Sequence, residues 1–224
     1  MRLPQLQNKV KEKEGIEKKR LKIFGVEFVY LYLFGIGVAA LGWIAENTAR
    51  LIGMGILDSR FHILPFISPY ALIIFALHIV LRDPDDLTVF GKRIFKESTR
   101  KTKLISNLVS LLLIWAFVFF GELAVGNIWE IFFGVELWNY STLPMSVTQY
   151  AGLVPTVGYG TGAYLIFKFI YKPLLLLIRR RVNFKIAKII TLTLGVLIVL
   201  DTLFLMFNII AFGKAPMYWS IKLW

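Results

Sequence analysis

The 224-residue chain has no cysteine. That excludes disulfides, thiolate metal sites, cysteine nucleophiles and cysteine-linked lipid, and it leaves the redox compartment undefined. Histidine is almost as scarce: only His62 and His78 occur, at opposite ends of one apolar segment, so they cannot share a metal ion. The sequence carries no HExxH pair, no other metal-ligand spacing, no serine elbow and no Walker A loop. No metal or cofactor is therefore expected, and ATP hydrolysis of the Walker type would need a second chain. Acidic residues are outnumbered, 14 against 26 Lys plus Arg, an excess that raises nucleic acid as a partner. The cations sit in loops between apolar runs, however, and not on one face of a soluble domain, so membrane topology explains them better.

What the chain has in quantity is apolar surface. Apolar residues make up 57% and aromatic residues 15%, with a mean hydropathy of +0.67, well above the share of about 45–50% usual in soluble domains. A bilayer crossing needs about 20 apolar residues, and five segments qualify: 24–44, 63–81, 104–125, 150–171 and 186–212. The first lacks a short apolar core followed by a cleavage site and reads as a retained span. Pro65 and Pro69 interrupt the start of the second. The expected fold is all-α, a polytopic transmembrane bundle of about five spans. Residues 1–22 would form a basic cytoplasmic tail, 23–212 the transmembrane domain, and 213–224 a short extracytoplasmic tail.

Charge tests this division. Lys plus Arg number eight in the N-terminal tail, seven in 82–103 and seven in 168–188, but two in the loop with Arg50 and Arg60, none in 126–149 and two after residue 212. The totals, 22 against 4, alternate at every span, which places the N-terminus in the cytoplasm and the C-terminus outside. Trp43, Trp129, Trp138, Tyr140, Tyr218, Trp219 and Trp224 fall at or beyond the expected outer ends, as an interfacial belt should, whereas Trp115 lies inside a span.

Several polar residues interrupt the apolar runs. Gly35, Ala39, Gly42 and Glu46 share one face of the first span, and Trp115, Glu122, Gly126 and Trp129 share one face of the third. Each helix thus carries a carboxylate beside a glycine that admits a close neighbour. Arg50, one turn beyond Glu46, is placed to pair with it. Glu27 is expected to pair with Lys22 or Lys103. Asp201, in VLIVLDTLFLMFN with Asn208 on the same face, is the most costly residue, because a carboxylate near mid-bilayer costs about 2.5–3.5 kcal/mol on insertion scales. It should face the bundle or a water-filled cavity, either in a structural hydrogen bond or in a functional role. In RDPDDLTVFGKR, Asp85 or Asp86 is placed to cap a short helix with Leu87, Phe90 and Ile94 along one side. Gly158, Gly160 and Gly162 beside Pro155 suggest close helix packing or a broken helix lining a cavity.

The two halves also echo each other by pattern. An apolar span, Gly42 and Glu46, an amphipathic stretch and a proline-led span are followed by an apolar span, Gly121-Glu122, Gly126, NIWEIFFGVELWNY and a span carrying Pro155. Both halves begin on the same side, which would make a weak parallel duplication of a kind found in transporters.

GWIAEN with a following Arg and a proline-rich span start, then GELAVGNIWEIFFGVELWNYS, resembles the ABC-transporter permease family labelled type IV or CmpB-like. The resemblance runs over roughly 28–171 and is carried by Gly42, Trp43, Glu46, Glu122, Gly126, Trp138 and Tyr140. It implies a multi-span bacterial inner-membrane permease of unassigned substrate. The expected function is a permease or transporter component, completed by an ATPase subunit or by self-association, with Glu46, Arg50, Glu122 and Asp201 forming an acidic site in the outer half of the bundle. The alternatives are a membrane-embedded enzyme using these carboxylates on lipid or isoprenoid substrates, and a non-catalytic assembly subunit.

Overall fold

The computed structural model describes residues 20–224, so most of the expected basic tail, 1–22, lies outside the described residues. Five helices carry the fold among those residues: α1 (Phe28–Met54), α2 (Ser68–Val80), α3 (Arg100–Phe133), α4 (Leu153–Arg181) and α5 (Phe184–Phe212). All but α2 are long and apolar enough to cross a membrane. Large apolar side chains such as Leu112, Phe120, Ile189 and Val199 stand exposed around α3 and α5, a surface suited to lipid and not to water.

Short pieces of sheet join the helices. A hairpin of β1 (Lys22–Ile23) and β2 (Val26–Glu27) precedes α1, and β3 (Ile56–Asp58) follows it. A second hairpin, β4 (Thr88–Val89) and β5 (Lys92–Arg93), precedes α3. Its Phe90-Gly91 turn has φ of 46° and 80°, matching Phe24-Gly25 of the first hairpin at 45° and 86°. Two consecutive left-handed residues make the tight turn that continues strand twist. This corrects the helix expected after Asp85 or Asp86: Leu87 is buried in the core, whereas Phe90 and Ile94 are exposed at the hairpin.

The cation-rich stretches meet at one end of the bundle. Arg82 donates to the Phe24 carbonyl at 2.7 Å, Lys172 pairs with Asp83, and buried Glu27 lies 3.6 Å from Arg20 and 3.3 Å from Arg179. The partners of Glu27 are therefore not Lys22 or Lys103, because α4 and not α3 brings its basic end over β2. The cation-poor segments gather at the opposite end, where β3 pairs with β6 (Ser220–Lys222). Consecutive helices alternate between the two ends, as the charge count requires.

Helices α1 and α2 pack closely through Gly35, which faces Ala71 and Phe75, and Gly42, which faces the Tyr70 ring. Helices α3 and α4 meet where Trp115 lies on Gly160 and donates to Thr161 Oγ1 at 3.1 Å, which explains the one tryptophan that the interfacial belt did not. Helix α4 contains a π-helical segment, Ile166–Tyr171. Pro155 sits in its first turn, where proline is tolerated, so the break considered at that residue is absent.

Helix α2 has 13 residues, about 20 Å at 1.5 Å per residue, against a hydrocarbon thickness of about 30 Å. A bent, non-helical segment, 63–67, supplies the rest of the second expected span, and its Ile67 N–H donates to the carbonyl of Ala39, midway along α1, at 3.2 Å.

Candidate functional site

Non-helical backbone at membrane depth persists only where its polar groups are satisfied within the protein. Asp201 does this. One carboxylate oxygen accepts from Ile63 N–H at 2.9 Å, and the other accepts from Leu64 N–H at 3.4 Å and lies 3.1 Å from His62 Nδ1. Its side chain is nearly inaccessible, at 6% exposure. The cost of a carboxylate on an apolar helix is offset by the loop it tethers, so the structural role of Asp201 is on view. Asn208 instead donates to the carbonyl of Phe204, in its own helix.

Glu46 and Glu122 do come together. Both line a cavity of about 350 Å³ between the α1–α2 and α3–α4 pairs, near the end opposite the basic loops. Its other polar groups are the hydroxyls of Tyr70, Tyr140 and Tyr159; Ile73, Val118, Val125 and similar side chains make up most of the wall. Leu72 and Phe117 line the cavity and are also exposed, so it opens sideways between α2 and α3. This is the general character of a small-molecule site, apolar with a few placed polar groups.

The two carboxylates are held differently. Glu46 Oε1 accepts from Tyr70 Oη at 2.9 Å, and Oε2 is bound by Arg60 through Nε at 2.7 Å and Nη2 at 2.6 Å. That two-point clamp is the strong form of a charged hydrogen bond. Glu122 Oε1 accepts from Tyr140 Oη at 3.1 Å, while Oε2 is out of solvent reach and has no partner among the described residues. Burial, and next the charge of Glu122, push the Tyr140 phenol above its ordinary range, so it remains a donor.

Arg50 is not part of this cavity. It pairs with buried Asp58 at 2.9 Å, while Arg60, on the returning chain, takes Glu46. The expected Glu46–Arg50 pair is thus corrected: β3 places Asp58 beside Arg50, and the reversal at Arg60 and Phe61, with φ of 52° and 68°, brings Arg60 to Glu46. Asp201 also lies apart, against the 62–64 segment. Of the residues expected in one site, Glu46 and Glu122 converge and Arg50 and Asp201 do not. Trp138 and Tyr140 line the cavity, Gly42 and Gly126 seat the rings of Tyr70 and Tyr150, and Trp43 packs edge-on against Trp219 beside a separate cavity of about 220 Å³. Tyr70, Tyr159 and Arg60 were not anticipated; a tyrosine inside an apolar span was the available signal for the first two.

A family model described as "Putative ABC-transporter type IV" matches residues 32–206, from the second turn of α1 to the last third of α5. No curated protein and no solved structure matches the chain. The match takes in all five helices and both carboxylates of the cavity. This multi-pass membrane protein belongs to that ABC-transporter family.

Proposed function

We propose that the chain is the permease subunit of an ABC-type transport system, with the cavity between α2 and α3 as its substrate chamber. The observation that carries this is the convergence of Glu46 and Glu122, from two separate helix pairs, on one largely apolar cavity with three tyrosine hydroxyls. The acidic groups favour a cationic substrate. Energy would come from a separate ATPase docked at the basic end, since the chain has no Walker A loop, and a second copy of the chain is the other candidate partner. The positive-inside rule favours that end in the cytoplasm, the chamber in the outer half of the bundle, 1–22 inside and 213–224 outside, and the family resemblance favours a bacterial inner membrane.

Two measurements test this reading. Copurification from native membranes should bring down an ATPase subunit; a homogeneous chain with none would remove the ABC mechanism. In proteoliposomes carrying the complete complex, Glu122→Gln should lower flux of a fluorescent organic cation at least tenfold, and Glu130→Gln, outside the cavity, should not. Equal flux in both would overturn the chamber. Because the chain lacks cysteine, single Lys96→Cys and Thr142→Cys variants report orientation without background: an impermeant maleimide should label only the second in intact cells.

The sideways opening also supports a second reading, an enzyme acting on a lipid or isoprenoid with the chamber carboxylates, Glu122 above all, exchanging protons with it. Product formation without ATP by the purified chain would favour that reading.

A further inference from the structure

We infer that the chamber binds a quaternary ammonium group, with Glu122 as its counter-charge and the rings of Tyr70, Tyr159, Tyr140 and Trp138 as its walls. The inference rests on the cavity being the ligand chamber, and it is tested by binding alone, so a failure of transport does not decide it.

Charge comes first. Both oxygens of Glu46 are engaged, by Tyr70 and by the Arg60 clamp, so that carboxylate is already balanced. The amino-terminal end of α2, whose Pro69 and Tyr70 line the cavity, adds further positive potential beside it. Glu122 has one oxygen on Tyr140 and one with no partner among the described residues. An unpartnered carboxylate oxygen away from water is costly, and a single monovalent cation would relieve it.

The walls then choose among cations. A bare Mg²⁺ or Ca²⁺ needs six or more oxygen ligands in a close shell, and no cluster of three metal-ligating side chains occurs among the described residues. Ammonium groups with free N–H bonds would need several acceptors, and beyond one spare carboxylate oxygen the chamber's lining side chains offer phenol oxygens, which accept more weakly than a carboxylate. Rings suit the opposite case, a bulky, weakly hydrated cation with no N–H to satisfy, which is attracted to the faces of tryptophan and tyrosine. Tyr70 and Tyr159 stand 6.3 Å apart and 66° from parallel, so they form two sides of a corner and do not stack into a closed sandwich.

Size and opening indicate how the ligand is carried. The cavity continues from this corner past Leu72, Ala76 and Phe117 to the exposed side of the bundle. That apolar extension accommodates a hydrocarbon chain attached to the head group, and it faces where lipid would lie. The head-group chemistry is common to a water-borne trimethylammonium compound and to a membrane-borne amphiphile, and the arms below separate them.

The test is calorimetric titration of the full chain in uncharged maltoside micelles with three probes: choline, its uncharged carbon isostere 3,3-dimethylbutanol, and dodecyltrimethylammonium below its micelle concentration. Choline should bind and the isostere should not. Tighter binding of the dodecyl compound assigns the natural ligand to the membrane, and equal binding assigns it to water; both support the ammonium site. Glu122→Gln should weaken choline binding at least tenfold. Tyr159→Leu should weaken it roughly tenfold, as expected for a desolvated cation–π contact. Tyr159→Phe, which keeps the ring face, should restore it, and helical circular dichroism identifies any variant that fails to fold. Equal binding of choline and its isostere, or no choline binding by the wild-type chain, overturns the inference without need of a variant.

Discussion

The two helix pairs of this protein solve one packing problem in the same way and then diverge in charge. Gly42 on α1 lies under the Tyr70 ring, and Gly126 on α3 lies under the Tyr150 ring. Four residues beyond each glycine is a glutamate, Glu46 or Glu130, and each pair is preceded by a Phe-Gly hairpin. In this register Glu122 corresponds to Val38, a buried apolar residue, and Glu46 corresponds to Glu130. The counterpart expected for Glu46 was Glu122, but that carboxylate is an addition peculiar to the second pair. The first pair balances its glutamate with Arg60, while the second leaves Glu122 without a cation among the described residues. A shared scaffold can thus hold one acid for structure and set another for a ligand.

The first pair also differs in depending on a tether. Replacing Asp201 with Leu removes the acceptor for two backbone N–H groups at membrane depth, and we expect a loss of about 4 kcal/mol, read as thermal unfolding in maltoside micelles. Hydrogen exchange should speed up in 60–67 and not in the 134–152 loop of the second pair. Protection left intact in 60–67 would show that Ile67 and Ala39 hold the segment alone.

The glycine seats should respond next. Gly126→Val is expected to cost about 3 kcal/mol, because Tyr150 is fully buried and cannot withdraw. Gly42→Val should cost about 1–2 kcal/mol, because Tyr70 borders the cavity and can rotate into it. A larger loss at Gly42 would reverse the asymmetry between the pairs.

The carboxylates provide a contrast of sign. Glu46→Gln leaves Arg60 without its clamp and should cost about 1–2 kcal/mol, whereas Glu122→Gln removes an unpartnered charge and should be neutral or slightly stabilising. Equal losses in thermal unfolding would mean that Glu122 is also compensated. The smallest effect is expected at the hairpins. Gly25→Ala and Gly91→Ala place a side chain at φ of 86° and 80° and should each cost about 1 kcal/mol. A larger loss at Gly91 would point to its contact with the Phe24 ring, 3.4 Å from an added Cβ.

The spans were legible in the sequence because a run of apolar residues is a one-dimensional property, and so was their alternation, because Lys and Arg can be counted in loops. The arrangement of charge was not. Residue spacing along a helix suggested Arg50 for Glu46, but the chain folds back and brings Arg60 from 14 residues away. Asp201 was conspicuous by its cost, yet two of its three partners are backbone amides, which every residue but proline has and no sequence pattern marks, and the third, His62, lies 139 residues away in the chain. Leu87, Phe90 and Ile94 fit a helical face as well as a hairpin does, and the deciding signal was the Phe-Gly step with β-branched Thr88 and Val89 before it. The glycine pair at 158 and 162 had the spacing of a packing motif, but Gly160 between them is the one that meets a neighbour.

The π-helical segment of α4 has a further consequence. Its wider turn holds an extra residue, and one residue rotates everything after it by about 100° around the helix axis. Before it, α4 faces α3, through Gly160, Thr161 and Tyr164, whose hydroxyl donates to Asn107. At its last residue, Tyr171 meets Phe34 of α1 edge-on at 5.1 Å and bonds His78 of α2, and after it Arg179 reaches Glu27. One helix thus runs in two phases and joins both pairs. Between Gly160 and Tyr171 the number of residues matters more than their identity: a single deletion there would leave the chemistry of the wall unchanged and turn one of its two seams away from its partner.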